Sequence, residues 1–158
     1  MRQSDAFRLL LIGYDLGGRF FKSLGRHCNE VEKQMLQLQF NRWASENEPG
    51  DVVKNQTLCL AAQLHDCGKP NARTEKDGKV LYYHHSNIGA YESMFYEAYP
   101  NEDKFYASAL ITYHMNPHDW NDDPQKRRTD MRRWGKEFFT DVELLHGCDV
   151  KANEVMGW

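Results

Sequence analysis

The sequence places a histidine and an aspartate side by side at the end of an apolar segment, LCLAAQLHDCGKP, which covers residues 58–70. An imidazole and a carboxylate in such a setting need a partner, a proton or a metal ion, because burying an unpaired polar group is unfavourable. Adjacent helical residues diverge by about 100°, so His65 and Asp66 can reach one point only where the helix ends. Gly68, as a left-handed cap, and Pro70, as a helix stop, predict that end.

The length and composition predict one folded domain. A chain of 158 residues, with 41% hydrophobic and 13% aromatic residues, can bury a full core. The net charge of -3 gives no general preference for nucleic acid or for membranes. No run approaches the ~18 apolar residues of a membrane span. The apolar run at residues 9–12 is also too short for a signal peptide. We therefore expect no membrane association.

The four cysteines, at positions 28, 59, 67 and 148, show no CxxC spacing and lie in segments of helical character. Buried free thiols are the simpler interpretation, since disulfides are typical of oxidising compartments. The cysteine pattern therefore predicts a reducing, cytoplasmic location.

Apolar residues recur at helical spacing along most of the chain. The predicted helices cover about residues 6–24, 28–43, 55–67, 86–99 and 101–115, and two more begin at Pro124 and at about Glu137. Gly17-Gly18 would kink or break the first helix, and Ser86 and Asn101 would cap two others. Residues 70–84 break the helical pattern, and Asp77-Gly78 there is a hairpin signal. The sequence predicts a single all-α domain over residues 1–158 with one irregular or hairpin insert.

Four further polar side chains fall at inward-facing or helix-entry positions. His27, His114 and Asp149 each stand four residues from an apolar residue of the same helix, and His85 lies where the next helix begins after the insert. Buried ionisable groups are unfavourable alone but are common as metal ligands. These positions therefore extend the His65–Asp66 pair to a possible metal centre.

The centre would hold one or two divalent ions. His27, His65, Asp66 and Asp149 suffice for one ion, and a second could be held by His85, His114 and the other oxygen of Asp66. Imidazoles with carboxylates suit Mn, Fe, Co, Ni or Zn, with Mg as a further candidate. Two ions about 3.5–4 Å apart can clamp the attacking and leaving oxygens of a phosphoryl group.

The order H…HD…H…H…D resembles the HD-domain metal-dependent phosphohydrolase superfamily. More narrowly, HDCGKPNARTEKDGKVLYYHHSNIGA is similar to the HD domain of bacterial tRNA nucleotidyltransferases and their stand-alone relatives, which carry an HDxGKP…RT…H…GA segment. LITYHMNPHDW and RRWGKEFFTDVELLHGCDVKAN resemble the later helices of that group. The resemblance covers roughly residues 25–155, and residues 6–24 would pack as a helix on that core.

The resemblance implies a bundle of about five to seven helices, a divalent metal centre, and hydrolysis of a phosphomonoester or phosphodiester through a metal-activated water. The substrate would be a nucleotide or a nucleic-acid end, such as an RNA end. The chain has no nucleotidyltransferase segment, so nucleotide addition is not expected and only the hydrolase module carries over. Oligomeric state is not encoded in any pattern that we can read.

Further candidates surround these ligands. Asp66 and Lys69 would act in catalysis, Lys69 by neutralising a substrate phosphate, although a lysine at a helix C-terminus is also favoured by the helix dipole. Arg73 and His84 are candidate substrate-binding residues, with a solvated role as the alternative for His84. His118 could protonate a leaving alkoxide or be an exposed loop histidine.

Two other functions fit the same ligand set. Some members of the superfamily use a di-iron centre for oxygenase chemistry, and iron is compatible with these ligands. A non-catalytic nucleotide-binding or sensor module could keep the metal as a structural element. The basic cluster at residues 126–136 could guide an anionic substrate, or it could be a solvated helix face.

Overall fold

The structure is a computed structural model, and it describes residues 19–46, 51–96 and 103–157. Three predictions lie outside these residues: the helix over residues 6–18, its break at Gly17-Gly18, and the cap at Asn101.

Helices account for most of the described residues. The longer ones are α1 (Arg19–Glu46), α2 (Val52–Leu64), α4 (His85–Ser93), α5 (Lys104–Tyr113), α7 (Pro124–Trp134) and α8 (Lys136–Met156). Two single turns, α3 (Lys69–Ala72) and α6 (Pro117–Trp120), lie between them, and the strands are β1 (Arg73–Lys76) and β2 (Lys79–Tyr82). The prediction of an all-α fold with a short hairpin insert is confirmed.

Helix α2 lies at the centre of the bundle, where it contacts α1, α5 and α8, while α4 packs on α5. Its sequence explains this position, because Leu60, Ala61, Ala62 and Leu64 are almost fully buried. The small alanines allow neighbouring helices to approach closely. Among the described residues, no helix combines the length and the apolar character needed to cross a bilayer.

Side-chain caps fix the start of three helices. The carboxylate of Asp51 accepts a hydrogen bond from the backbone N–H of Lys54, and Asp103 and Asp123 play the same role for α5 and α7. Such caps satisfy backbone donors that have no partner within the helix. Pro124 is the first residue of α7, as its sequence position predicts.

The insert is a two-stranded antiparallel hairpin. Arg73 pairs with Tyr82 at its open end and Lys76 with Lys79 at its turn. Asp77 and Gly78 both have positive φ, at 53° and 72°. Two left-handed residues define the hairpin turn that an Asp-Gly pair favours, so this local signal is confirmed.

Several predicted boundaries are wrong, among them the end of the helix predicted over residues 86–99, because α4 ends at Ser93. Within the described residues α1 is one continuous helix from Arg19, with no break before Cys28, because packing on α2 and α8 outweighs the local cost of Gly25. Helix α4 follows His84, in the left-handed region at φ 60°, so Ser86 is not its N-cap. The sequence predicts no helix between Met115 and Pro124, but the turn α6 lies there, and its Trp120 is buried against Phe139.

Candidate metal centre

Five elements bring six predicted ligands to one buried place. His27 comes from α1, His65 and Asp66 from the end of α2, His85 from the start of α4, His114 from the end of α5, and Asp149 from α8. None of the six is more than 8% exposed. His27 and Asp149 therefore become neighbours, although they lie 122 positions apart in the chain.

The first ligand group, His27, His65 and Asp66, contributes one ligand atom each within 4.8 Å of one another. Nε2 of His27 and Nε2 of His65 lie 3.3 Å apart. Asp66 Oδ2 lies 3.4 Å from Nε2 of His65 and 3.7 Å from Nε2 of His27. Asp149 Oδ1 lies 2.9 Å from Nε2 of His27, so a second carboxylate borders this group.

The second ligand group consists of Asp66, His85 and His114. Asp66 now presents its other oxygen, Oδ1, which lies 3.4 Å from Nε2 of His85 and 3.8 Å from Nε2 of His114. The two imidazole Nε2 atoms are 3.4 Å apart. The carboxylate of Asp66 therefore stands between the two groups and faces each with one oxygen.

Backbone carbonyls fix the orientation of three of the imidazoles. Nδ1 of His65 lies 2.8 Å from the backbone oxygen of Ala62. Nδ1 of His85 lies 2.9 Å from that of Tyr82, and Nδ1 of His114 lies 2.7 Å from that of Ile111. A carbonyl oxygen only accepts, so Nδ1 is the protonated nitrogen of the neutral ring. Nε2 then carries the lone pair and faces the centre, as in metal-binding histidines.

These donors fit a metal ion. Two nitrogens at about 2.0–2.1 Å from a tetrahedral ion lie about 3.3 Å apart, and the Nε2 pairs are 3.3 and 3.4 Å apart. The Nε2 lone pairs of His85 and His114 face each other in a buried site and repel, and a cation or a proton between them removes that repulsion. The described residues thus contain two adjacent His/Asp groups that could hold metal ions.

The charges of the centre favour an ionised Asp66. Burial opposes its ionisation, but attraction to His65, polar contacts with His65 and His85, and the nearby Lys69 together hold its pKa well below the usual range. Burial and repulsion by His65 lower the pKa of His114 to about 3. At neutral pH the centre therefore offers a carboxylate and, at His114, a neutral imidazole, which are the states that metal ligation needs.

Asp149 is ionised for a related reason. Burial raises its pKa, but the hydrogen bond from His27 and attraction to His65 outweigh burial and lower it to about 2. Asn153 also donates a hydrogen bond to its Oδ1 at 3.1 Å. A second charged carboxylate thus lies at the rim of the first ligand group.

Gly68 allows the His65–Asp66 segment to reach α4. Its φ of -78° is right-handed, so the predicted left-handed cap is wrong. A Cβ there would lie 2.1 Å from the carbonyl oxygen of His85 and 2.4 Å from the backbone nitrogen of Gly89. Glycine is needed because two backbones meet, and this contact sets His85 against Asp66. Pro70 does not stop α2, which ends at Leu64, but lies in the first turn of α3.

The structure places Lys69, one of the predicted catalytic residues, at the centre. Its Nζ lies 2.5 Å from Asp66 Oδ2, and its side chain is 27% exposed. Lys69 therefore contacts both the buried carboxylate and the solvent. Burial alone would lower the pKa of Lys69, but Asp66 raises it. Arg73 and His84, the other predicted substrate contacts, are exposed and belong to neither ligand group in the described part of the chain.

His118 lies near the centre beside His146, which the sequence favours as a surface or core polar residue and not as a ligand. His118, His146 and Asp149 form a third group whose ligand atoms lie within 4.8 Å of one another. The available signal was the spacing of His146 and Asp149, three residues apart on one face of α8. Without the position of α6, that spacing alone does not distinguish a ligand from a surface histidine.

Two residues of the basic cluster at residues 126–136 form ion pairs with acidic side chains. Lys126 bonds to Asp119, and Arg127 lies 2.6 Å from Glu143. Arg127 also lies over the ring of Phe139. These contacts favour a solvated, ion-paired helix face over a dedicated anion site.

No protein-family model, no curated protein and no solved structure matches this chain.

Proposed function

We propose that the protein is a metal-dependent phosphohydrolase of the HD type. The observation that carries the proposal is the Asp66 carboxylate between two imidazole pairs, with Oδ1 facing His85 and His114 and Oδ2 facing His27 and His65. One carboxylate that serves two adjacent groups is the arrangement expected of a two-cation centre. Divalent cations bound there would polarise a phosphoryl oxygen and lower the pKa of a water molecule.

The protein would contribute fixed ligand positions and the positive charge of Lys69. Backbone carbonyls orient three of the four inward imidazoles, and all six ligands are buried, so little reorganisation is needed when the centre fills. Lys69 supplies a positive charge beside Asp66 and remains partly exposed. It can therefore contact an incoming phosphate and offset charge that develops on its oxygens.

We infer that the substrate is a phosphate ester of a nucleotide or of a nucleic-acid end, in line with the resemblance to HD domains of tRNA enzymes. The hairpin ends close to Lys69, whose Nζ lies 5.9 Å from the centre of the Tyr82 ring. Arg73 pairs with Tyr82 in the hairpin, and His84 lies two residues after Tyr82. Both side chains are exposed, and we propose that they contact the remainder of the substrate.

The test is a hydrolysis screen with metal-stripped protein to which Mn²⁺, Co²⁺, Ni²⁺, Zn²⁺ or Mg²⁺ is added. The substrates are nucleoside monophosphates, cyclic nucleotides and RNA 2′,3′-cyclic phosphates. We expect metal-dependent release of phosphate or opening of the cyclic ester, and its loss in Asp66→Asn. Lys69→Met should raise KM while metal content stays unchanged.

Other outcomes would contradict the proposal. Oxygen consumption by iron-loaded protein, without hydrolysis, would favour the di-iron oxygenase. Nucleotide binding without turnover, at full metal occupancy, would favour a sensor module.

A further inference from the structure

A third His/Asp group lies beside the centre, on its solvent side. His118 comes from the turn α6, and His146 and Asp149 come from α8, three residues apart on one helix face. Their ligand atoms lie within 4.8 Å of one another. The two imidazole rings meet edge to face with centroids 4.5 Å apart. Three ligand-type side chains from two elements therefore converge on one point.

Burial changes in steps across this group. Asp149 is buried, His146 is half-buried and His118 is exposed. Nδ1 of His146 is itself inaccessible and has no hydrogen-bond partner among the described residues. A buried ring nitrogen without a partner is unfavourable, and a cation bound by the group is one way to satisfy it if Nδ1 is the ligand atom.

Asp149 joins this group to the first ligand group, because its Oδ1 lies 2.9 Å from Nε2 of His27. A carboxylate has two oxygens and can serve two cations, as Asp66 does in the proposed centre. Six of the seven histidines of the chain thus belong to one of three adjoining groups, and His84 is the exception.

We propose that His118, His146 and Asp149 form a third cation subsite, which takes a first-row transition metal such as Zn²⁺. Two imidazoles and a carboxylate are a ligand set that zinc accepts, with a coordination position left for water or substrate. The proposal rests on the proposed function in one respect, since Asp149 is shared with the inner centre.

The third subsite binds more weakly than the inner two. His118 is exposed, so solvent competes for its ligand atom and its side chain must be ordered on binding. A third cation also adds charge without adding a carboxylate, and like charges at this distance repel. The outer ion is therefore the first to leave when free metal is reduced.

The experiment is equilibrium dialysis of the metal-stripped protein against Zn²⁺ over a range of free concentrations, with metal analysis of the protein. The wild type should bind a final, weaker equivalent that is absent from His118→Ala and from His146→Ala. His84→Asn is the matched control, because it also removes an imidazole and Asn tolerates the left-handed backbone at that position. The control should keep the final equivalent.

Two results would overturn the proposal: a wild type without a weaker final equivalent, or variants at 118 and 146 that both retain it. Circular dichroism shows whether each variant is folded, and His118→Ala removes only an exposed side chain. Asp66→Asn separates this proposal from the proposed function, because it should remove the inner ions while the outer group keeps all three ligands. Absence of hydrolysis, with the outer equivalent present, would contradict the hydrolase alone.

Discussion

Asp66 is the residue on which most of the site depends. It follows His65 directly, yet the two side chains serve the centre together because α2 ends at Leu64 and the backbone turns there. The His-Asp pair at the end of an apolar helix made this position readable from the sequence. The bridging arrangement of its two oxygens was a hypothesis there, and the distances of 3.4 Å to His65 and to His85 support it.

Replacement of Asp66 should affect both inner ions, whereas replacement of His85 should affect one. Asp66→Asn removes the charge and leaves one oxygen for two groups, so we expect loss of both metal equivalents and a fall in kcat of at least about a hundredfold. His85→Ala removes a donor from the second group only. Metal analysis and hydrolysis rates check this, and equal metal loss in the two variants would argue against a bridging Asp66.

His146 shows where residue-level prediction from the sequence ends. A histidine three residues before Asp149 is unremarkable as a pattern, and its relevance depends on His118, which arrives from a separate element. The role of Gly68 also depends on a separate element, so the sequence around it did not predict that role. A glycine after a helix suggests a left-handed cap, but the actual requirement is the backbone of α4 close by, which no local pattern encodes.

At the scale of elements, the contact between Gly68 and Gly89 positions the metal centre. It brings the segment after α2 against the first turns of α4, so Asp66 and His85 approach each other. Helix α4 has no side-chain cap of its own, and its start is held by this packing and by the hairpin that leads into it.

Gly68→Ala should destabilise the fold and weaken the second ligand group. The new Cβ would lie 2.1 Å from the His85 carbonyl oxygen, a backbone atom that cannot rotate away. Overpacking of this kind costs about 1–3 kcal/mol, measured as the free energy of unfolding in urea. Gly147→Ala is the matched control in α8, where a Cβ meets nothing within 4 Å, and it should raise stability by up to about 1 kcal/mol. Similar losses in both variants would contradict this account.

The turn α6 is held by a buried carboxylate. Asp130 Oδ2 accepts hydrogen bonds from Nε1 of Trp120 at 2.9 Å and from Nδ2 of Asn116 at 3.3 Å. Asp130 itself is 9% exposed and belongs to α7. One acceptor thus joins α7 to both ends of the turn that carries His118.

Asp130→Ala should lower the free energy of unfolding by about 1–3 kcal/mol, because the buried indole N–H of Trp120 loses its acceptor. Asp130→Asn keeps a carbonyl oxygen and should cost less. Urea unfolding compares the two variants, and tryptophan fluorescence reports on the surroundings of Trp120. An alanine variant as stable as the asparagine variant would show that the hydrogen bond contributes little.

Local signals predicted elements well where the conformation is decided locally. Asp77-Gly78 specified the hairpin turn and Pro124 the start of α7, because each depends on the φ of one or two residues. Ser86 failed as a cap because the left-handed His84 already begins the helix. The predicted separation of the helices over residues 6–24 and 28–43 failed for another reason, since a helix packed along its length tolerates a glycine.

On the scale of the whole molecule, the centre is a cluster of buried polar groups at the meeting point of α1, α2, α4, α5 and α8. Apolar packing surrounds it, with Leu60, Leu64, Leu110 and Leu145 almost fully buried. The fold could be predicted as helical from its periodicity. The packing order of the helices came only from the structure, because it depends on contacts between distant segments.

Metal should stabilise the entire domain. An ion that binds the folded chain and not the unfolded one adds about 2.7 kcal/mol when its free concentration is a hundred times its Kd. We therefore expect the Tm of metal-stripped protein to rise on addition of Zn²⁺ or Mn²⁺. Asp66→Asn should show little of that rise, and an equal rise in the variant would place the stabilising metal elsewhere.

The distribution of the ligands along the chain also orders events during synthesis. His27 and Asp149, which lie 2.9 Å apart in the folded protein, are separated by 122 positions, and α8 carries the last ligand. Contacts between such distant segments form late, after the loop between them has been closed. A nascent chain could therefore bring all six ligands together only after α8 has left the ribosome, so full metal capture would report that translation had passed Asp149.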